Sequence, residues 1–564
     1  MKKVLCLLTA AIAISTAMTS LAAASEPTGG GSPVDCLIPG SDDRCERWAH
    51  RYTEGEGDAP FGKHNQHRAE MGAISPTGDR AFIVGSVVDG SRICPGNPPT
   101  LCMDMQTVAY DAVTGNILWV KQQSPPWENA HSLPRTVVVS ADGSTVFTVS
   151  TVFVGSGSAR DTLRDLHIVA YDAATGARRW VRTYDGPARM QEDAFAAAVS
   201  PIDDRLFVAA ASTSTTLPVS TYGYSPLHMT RGTTAAGLEV DVDFALLSFE
   251  GASGELMDER RYGGATFRVD GETRASWDVP VDIEVSPDGQ RIVVSGLSDG
   301  RQAYATGSPH STAVAWDASD EEPGTGWDLA WVREVAGIPL GLGVFPRQAM
   351  AVFAGAYGDG GTESNPYAVL GLDLHTGEPR WEKRYALGGL GGQLEHPRGL
   401  LADAERGMVA LPGISRYPTS STGTMGVLAL RASDGGTAWT KRLRDPMSNA
   451  TIIFNYDVDG MPLGAIDARS GHVQVTSTRG GHLATFSLDG ATGAQRWAAL
   501  FEKPLRSGSY FEESGGDWPV AMGAAGGTVV VFGNSYIPRR QTCSFGPAFT
   551  FCPRDDFLTV AYEV

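Results

Sequence analysis

At 564 residues the chain is longer than one ordinary core covers, so several domains or one repeat array is expected. Its 45 Lys and Arg stand against 64 Asp and Glu, a formal net charge of -19, which disfavours nucleic acid and anionic membrane surfaces as partners. No long helical period appears, and 67 Gly with 33 Pro fit many short strands and tight turns.

Taken in order, the chain opens on an export signal. Lys2 and Lys3 precede an apolar run from Val4 to Leu21, and Ala22-Ala23-Ala24 supplies small cleavage-site residues. Residues 1–24 are therefore expected to leave as a signal peptide, placing the protein in the periplasm or outside the cell. No later stretch is apolar enough to span a bilayer. Residues 25–45 begin Gly/Ser/Pro-rich and read as a flexible segment. Once Cys6 departs, six cysteines remain in three close pairs, Cys36–Cys45, Cys94–Cys102 and Cys543–Cys552. In an exported chain such pairs predict local disulfides, the first of them inside the flexible segment. The absence of CxxC spacing and of any Cys-His cluster argues against a structural zinc site.

From Glu46 to Val564 two hairpin units alternate. One is strand, tight turn, strand, clearest as IEVSPDGQRIVVSGLS from Ile283, with relatives from Ala73, Val137, Ala197, Leu400, Ala465 and Val520. The other is IVAYDAATGARRWVRTY, Ile168 to Tyr184, whose Asp and Gly are turn residues between a β-branched run and a strand carrying Trp180. It recurs with Trp119, Trp331, Trp381, Trp439 and Trp497, and once with Met257 in the Trp place. Two hairpins make a four-stranded antiparallel unit, numbered one to four from inside to outside, and such units at this period form the blades of an all-β propeller. Seven blades are complete. The eighth has three strands at the C-terminal side, and ERWAHRY from Glu46 resembles the missing fourth. An eight-bladed β-propeller over residues 46–564, its ring closed by the N-terminal strand bearing Trp48, is the predicted fold.

The hairpin A-Y-D-A-x-T-G-x-x-x-W resembles repeats of the pyrroloquinoline quinone (PQQ) type. With V-S-P-D-G and the Asp-Phe pairs at Asp243 and Asp556, the fuller unit is similar to the PQQ-like propeller repeat of secreted bacterial proteins. The resemblance implies fold more than activity, because its motifs are structural. Quinoprotein dehydrogenases of this architecture use an adjacent Cys-Cys disulfide and a calcium beside the quinone. This chain has no adjacent Cys pair.

In a propeller, the connections from strand four to the next strand one and from strand two to strand three gather at one mouth of the channel. The first set is rich in ionisable and aromatic residues: His64, His67, Arg68, Glu128, His131, Arg135, Glu192, Asp193, Trp277, Asp278, Glu395, His396, Arg398, Asp517 and Trp518. His67, Glu192 and Asp278 each lie eight residues before the Ser of the strand one–two turn, so they are expected to share a ring. Two readings fit: a solvated rim, and a ligand site at the channel mouth. The second set carries the insertions, two of them with cysteine pairs, and concentrated insertions suggest a binding face. Asn455, Asp457 and Asp459, with Gly460, resemble the start of a calcium loop, although the closing acid is off register. No phosphate-binding Gly loop, HExxH or GxSxG motif is present.

The expected function is that of a non-catalytic, exported, monomeric scaffold that binds a protein or carbohydrate ligand, with calcium as its candidate ion and without PQQ. The alternative is a PQQ-dependent oxidoreductase.

Overall fold

The computed structural model describes residues 46–52, 67–94, 100–154, 164–218, 238–263, 267–269, 272–274, 278–298, 310–318, 328–336, 338–356, 367–385, 395–397, 399–416, 422–443, 453–455, 462–479, 482–501, 517–539 and 552–563. The tight turns decide the architecture. In the strand three–four turn, the Asp172 carboxylate accepts the backbone N–H of Thr175 at 3.0 Å, and Gly176, at φ 67, closes the turn with its N–H on the Asp172 carbonyl at 2.8 Å. In the strand one–two turn, Ser140 Oγ donates to Asp142 at 2.6 Å and accepts the Thr145 N–H at 2.9 Å. Each turn satisfies its own polar groups, so the alternating apolar runs on either side pair as antiparallel hairpins.

Eight four-stranded antiparallel blades result, in an eight-bladed β-propeller ring. Seven are continuous in sequence: blade 1 (67–123), blade 2 (130–184), blade 3 (192–262), blade 4 (278–336), blade 5 (338–385), blade 6 (395–442) and blade 7 (463–501). Blade 8 takes three strands from 517–563, and its outermost strand is Glu46–Tyr52. Trp48 lies opposite Ala561 and Tyr52 opposite Phe557, so the expected closing strand is present in the expected register. Arg51 Nε donates to Ser535 Oγ at 2.9 Å, and Arg47 forms an ion pair with Glu563 at 3.2 Å. Blade 8 is in turn fastened to blade 1, where Asn534 exchanges two hydrogen bonds with the backbone of Ala69, at 2.6 and 3.0 Å.

Apolar layers between neighbouring blades form the core. Blades 2 and 3 share Phe147, Ile168, Trp180, Leu206, Leu247 and Phe249, and blades 8 and 1 share Ile83, Tyr110, Phe532 and Phe557. At six joints a signature Trp donates its indole N–H to a carbonyl in the next blade's strand three–four turn, as Trp119 does to Ala173 at 3.0 Å and Trp180 to Gly251 at 2.8 Å. Its ring fills the floor under that turn, where a Cβ on Gly176 would come within 2.6 Å of Trp119.

One sequence assignment is corrected by this geometry. Met257 does not occupy the Trp place of blade 3. Trp119, Trp180, Trp381, Trp439 and Trp497 each stand four residues after the turn glycine, and four after Gly254 is Asp258. Asp258 pairs opposite Ser248 as Trp119 pairs opposite Ala109, whereas Met257 falls at the bulge and is exposed. The alignment slipped because an apolar Met is a more natural substitute for Trp than an Asp is.

Candidate functional site

The strand directions put the starts of strands one and three, and the ends of strands two and four, at one face of the ring. The tight turns occupy the opposite face. Near the first face the innermost strands of blades 1–5 and 8 carry a bulge, placed two residues inside the position of His67, Glu192, Asp278 and Asp517 in blades 1, 3, 4 and 8. Proline precedes the bulge at Pro134, Pro280, Pro339 and Pro519, which an innermost strand tolerates because its free edge lines the channel. The count of eight residues thus identified one structural ring: His67 pairs opposite Val87, Glu192 opposite Ser212, Asp278 opposite Ser298 and Asp517 opposite Ser535. Glu395, opposite Ser415, continues it in blade 6, with His396 beside it. For His67, Glu395, His396 and Asp517 the strand register alone is described.

The structure joins part of the predicted set into a charged chain across blades 1–3. Arg68 is exposed, with Nε 3.3 Å from Glu70. Burial raises the Glu70 carboxyl, against the opposing pull of Arg68 and Arg135. Arg135 in turn lies 3.5 Å from Asp193, which is fully buried and also takes Arg164 at 2.6 Å. His131 is buried and stacks on Phe153 at 5.2 Å, and burial, followed by Arg92, holds its imidazole below the usual value. Glu128 is exposed and contributes its backbone carbonyl to Arg92 at 3.2 Å. Asp278 is buried in blade 4, and Trp518 in blade 8 is 38% exposed.

Beside Asp193 stands a group that sequence reasoning reached only in part. Glu192 is fully buried, and its Oε1 accepts from Ser212 Oγ at 3.2 Å, which itself accepts from Arg261 at 2.7 Å. Blade 8 repeats the device, with Ser535 taking Arg51. Unlike blade 8 as described, blade 3 meets two further acids: Asp165 from strand three of blade 2, and Asp185 just after strand four of that blade. Oxygens of Asp165, Asp185 and Glu192 all lie within 4.8 Å of one another. Burial and the charges of Asp165 and Asp185, opposed by the Ser212 and Gly186 hydrogen bonds, leave Glu192 at about 8. Burial and then Asp185 push Asp165 up to about 6.

The remaining candidates divide by where they fall. His64, Trp277, Arg398, Asp457, Asp459, Cys36, Cys45 and Cys543 lie outside the described residues. Asn455 sits opposite Thr422 in a short strand added to blade 6, and Cys552 opposite Arg539 in blade 8. Cys94 and Cys102 form the expected disulfide, with Cα atoms 5.0 Å apart, at the strand two–three end of blade 1.

The fold and its repeat define a class. Residues 72–238 match the PQQ_2 family model, described as outer membrane protein assembly factor BamB. The chain is a PQQ-like β-propeller repeat protein. Solved structures similar to it include BamB from Moraxella catarrhalis, at 13% identity over 92% of this chain and 98% of that one, with a TM-score of 0.35. Sqt1 from Chaetomium thermophilum, bound to the N-terminus of ribosomal protein L10, is 11% identical over 91% of this chain and 100% of that one, at 0.44. The Dos1 propeller is 9% identical, covering 88% of this chain and 92% of that one, at 0.42. No curated protein sequence matches the chain. Among the described residues, no helix is long and apolar enough to cross a membrane.

Proposed function

We propose that the protein is an exported, non-catalytic scaffold that binds a protein or carbohydrate ligand at the face where its strands one and three begin. The observation that carries this reading is the asymmetry between the two faces. The turn face is built of short loops whose Asp, Ser and Gly satisfy one another. The mouth face instead holds the charged chain from Arg68 to Arg164, with the exposed Trp518 at the Arg68 end. Arg68 and Trp518 occupy the same register position in the adjoining blades 1 and 8, opposite Ser86 and Asn534. A cation and an indole side by side suit a carbohydrate ring or a polar peptide segment. Export rests on Lys2, Lys3 and the apolar run that follows them. The assembly role in the description of the matched family model is consistent with a binding part, and it is that protein's role.

The quinone alternative has less support. PQQ carries carboxylates and needs cationic partners, yet Arg135 is held by the buried Asp193, and the chain has no adjacent Cys pair. A glycan array and a search for co-purifying peptides, run with the mature chain and an Arg68→Glu/Trp518→Ala variant, test the proposal. The expected result is a ligand whose affinity drops at least tenfold in the variant while the melting temperature holds. Stoichiometric PQQ uptake with substrate-dependent dye reduction contradicts it, as does a ligand held equally by both proteins.

A further inference from the structure

We propose that Asp165, Asp185 and Glu192 form a binding site for one hard divalent cation, calcium first, between blades 2 and 3. The inference is independent of the ligand-binding reading above. Three carboxylates with no Cys or His among them favour a hard ion. Each offers an oxygen within 4.8 Å of the other two, close enough for one ion to bridge them.

An acidic cluster alone is no site, and two further observations point to an ion. Glu192 is 0% exposed, and its Oε2 has no hydrogen-bond partner among the described residues. A buried carboxylate with one oxygen unpartnered, set beside two further acids, is costly unless a cation joins them. The fold also supplies its own controls. Asp104, Asp165 and Asp243 occupy one equivalent position in blades 1, 2 and 3, opposite Val87, Val152 and Ser212. Asp104 is paired with Arg92 and also accepts from Gln122 and Ser124, each at 2.8 Å. Asp243 has Arg261 at 3.6 Å. For Asp165 no cationic side chain is placed among the described residues. Its neighbour Arg164 turns to Asp193 instead, and among the described residues Asp185 has the exposed Arg189 at 3.9 Å.

The connection between the blades fits a site held in place. The Gly186 backbone hydrogen-bonds the Glu192 carboxylate, and a Cβ on Gly186 would stand 2.4 Å from Glu192 Oε1. Arg189, at φ 51, closes the turn with its N–H on the Gly186 carbonyl at 2.9 Å. A non-glycine residue in the left-handed region is the kind of local strain that clusters at binding sites.

Elemental analysis and calcium titration of the chelator-stripped mature chain test the site, with Glu192→Gln, Asp165→Asn and Asp457→Asn as variants. Gln keeps the volume of Glu192 and its bond to Ser212. Calcium is expected to bind the parent and raise its melting temperature. In Glu192→Gln and Asp165→Asn the stoichiometry should fall by one ion per chain, with the fold retained by circular dichroism. Asp457→Asn should keep this ion. Absence of calcium binding in the parent, or a stoichiometry unchanged in Glu192→Gln, would overturn the assignment. So would loss of the ion in Asp457→Asn alone.

Discussion

Asp104 in blade 1 and Asp165 in blade 2 are the same position in the repeat, seven residues before Asp111 and Asp172, which open the strand three–four turns. Both are buried near the mouth face. Asp104 is enclosed by Arg92, Gln122 and Ser124. Asp165 faces Asp185 and Glu192. The blade fixes where the carboxylate stands, and its neighbours decide whether it is neutralised: Arg92 from strand two pairs with Asp104, whereas Asp165 meets Asp185 from the connection after strand four. A repeat protein can therefore vary one site without disturbing the layer beneath it, because the core residues and the rim residues lie on different parts of the strand.

The comparison holds only if all blades keep one register, and ring closure imposes that register. The largest expected effect is accordingly from deletion up to Tyr52. It removes the partner of the strand ending in Val560–Tyr562 and leaves an open edge and an unfilled joint. The truncated protein should be insoluble or lack a cooperative melt, while deletion of residues 25–33 alone should leave the melting curve unchanged.

Next in size is the joint itself. Trp180→Ala should cost about 3–5 kcal/mol in denaturant unfolding, because it empties the floor beneath Gly254 and removes the bond to Gly251. Met257→Ala should stay within about 0.5 kcal/mol, as an exposed bulge residue does. A large cost for Met257→Ala would restore it to the Trp place and break the register on which Asp104 and Asp165 are matched.

The smallest effect sharpens the picture around Asp165. His167, two residues along the same strand, is 2% exposed, and burial, then Arg178, pushes its imidazole down to about 4. The unfolded imidazole takes its proton near 6.5. Between about 6.5 and 4 the unfolded state binds more protons, so this residue's contribution to stability is present above that window and is lost as pH falls through it. His167→Gln should therefore gain on the parent as pH drops from 6.5 to 4, read as a narrowing or reversal of their difference in denaturant midpoint. A difference independent of pH would remove His167 from the acid response.

Much of the fold was legible because its signals are local. The Asp-x-x-x-Gly turns and those like Ser-Pro-Asp-Gly announce most hairpins, and Trp48 with its flanking residues announces the closing strand. Part of the rim was legible for the same reason: counting back eight residues from the turn Ser follows a single strand, and Glu192 and Asp278 do share one register position, opposite Ser212 and Ser298. Asp165 and Asp185 were missed because they reach Glu192 from a third strand and from an interblade connection. Their meeting depends on how two blades pack, which no count along one strand registers. The Asp seven residues before the strand three–four turn in blades 1 to 3, at Asp104, Asp165 and Asp243, was the signal that could have found the first of them.

The most direct measurement is the pair of melts of Asp104→Asn and Asp165→Asn against the parent, at pH 7.5 with chelator present. The account predicts opposite outcomes. Asp104→Asn should lose about 2 kcal/mol, because it leaves Arg92 without its buried partner. Asp165→Asn should be neutral or more stable than the parent, because it removes one of three crowded acids. Equal losses in the two variants would contradict it, showing that Asp165 is as well compensated in its blade as Asp104 is.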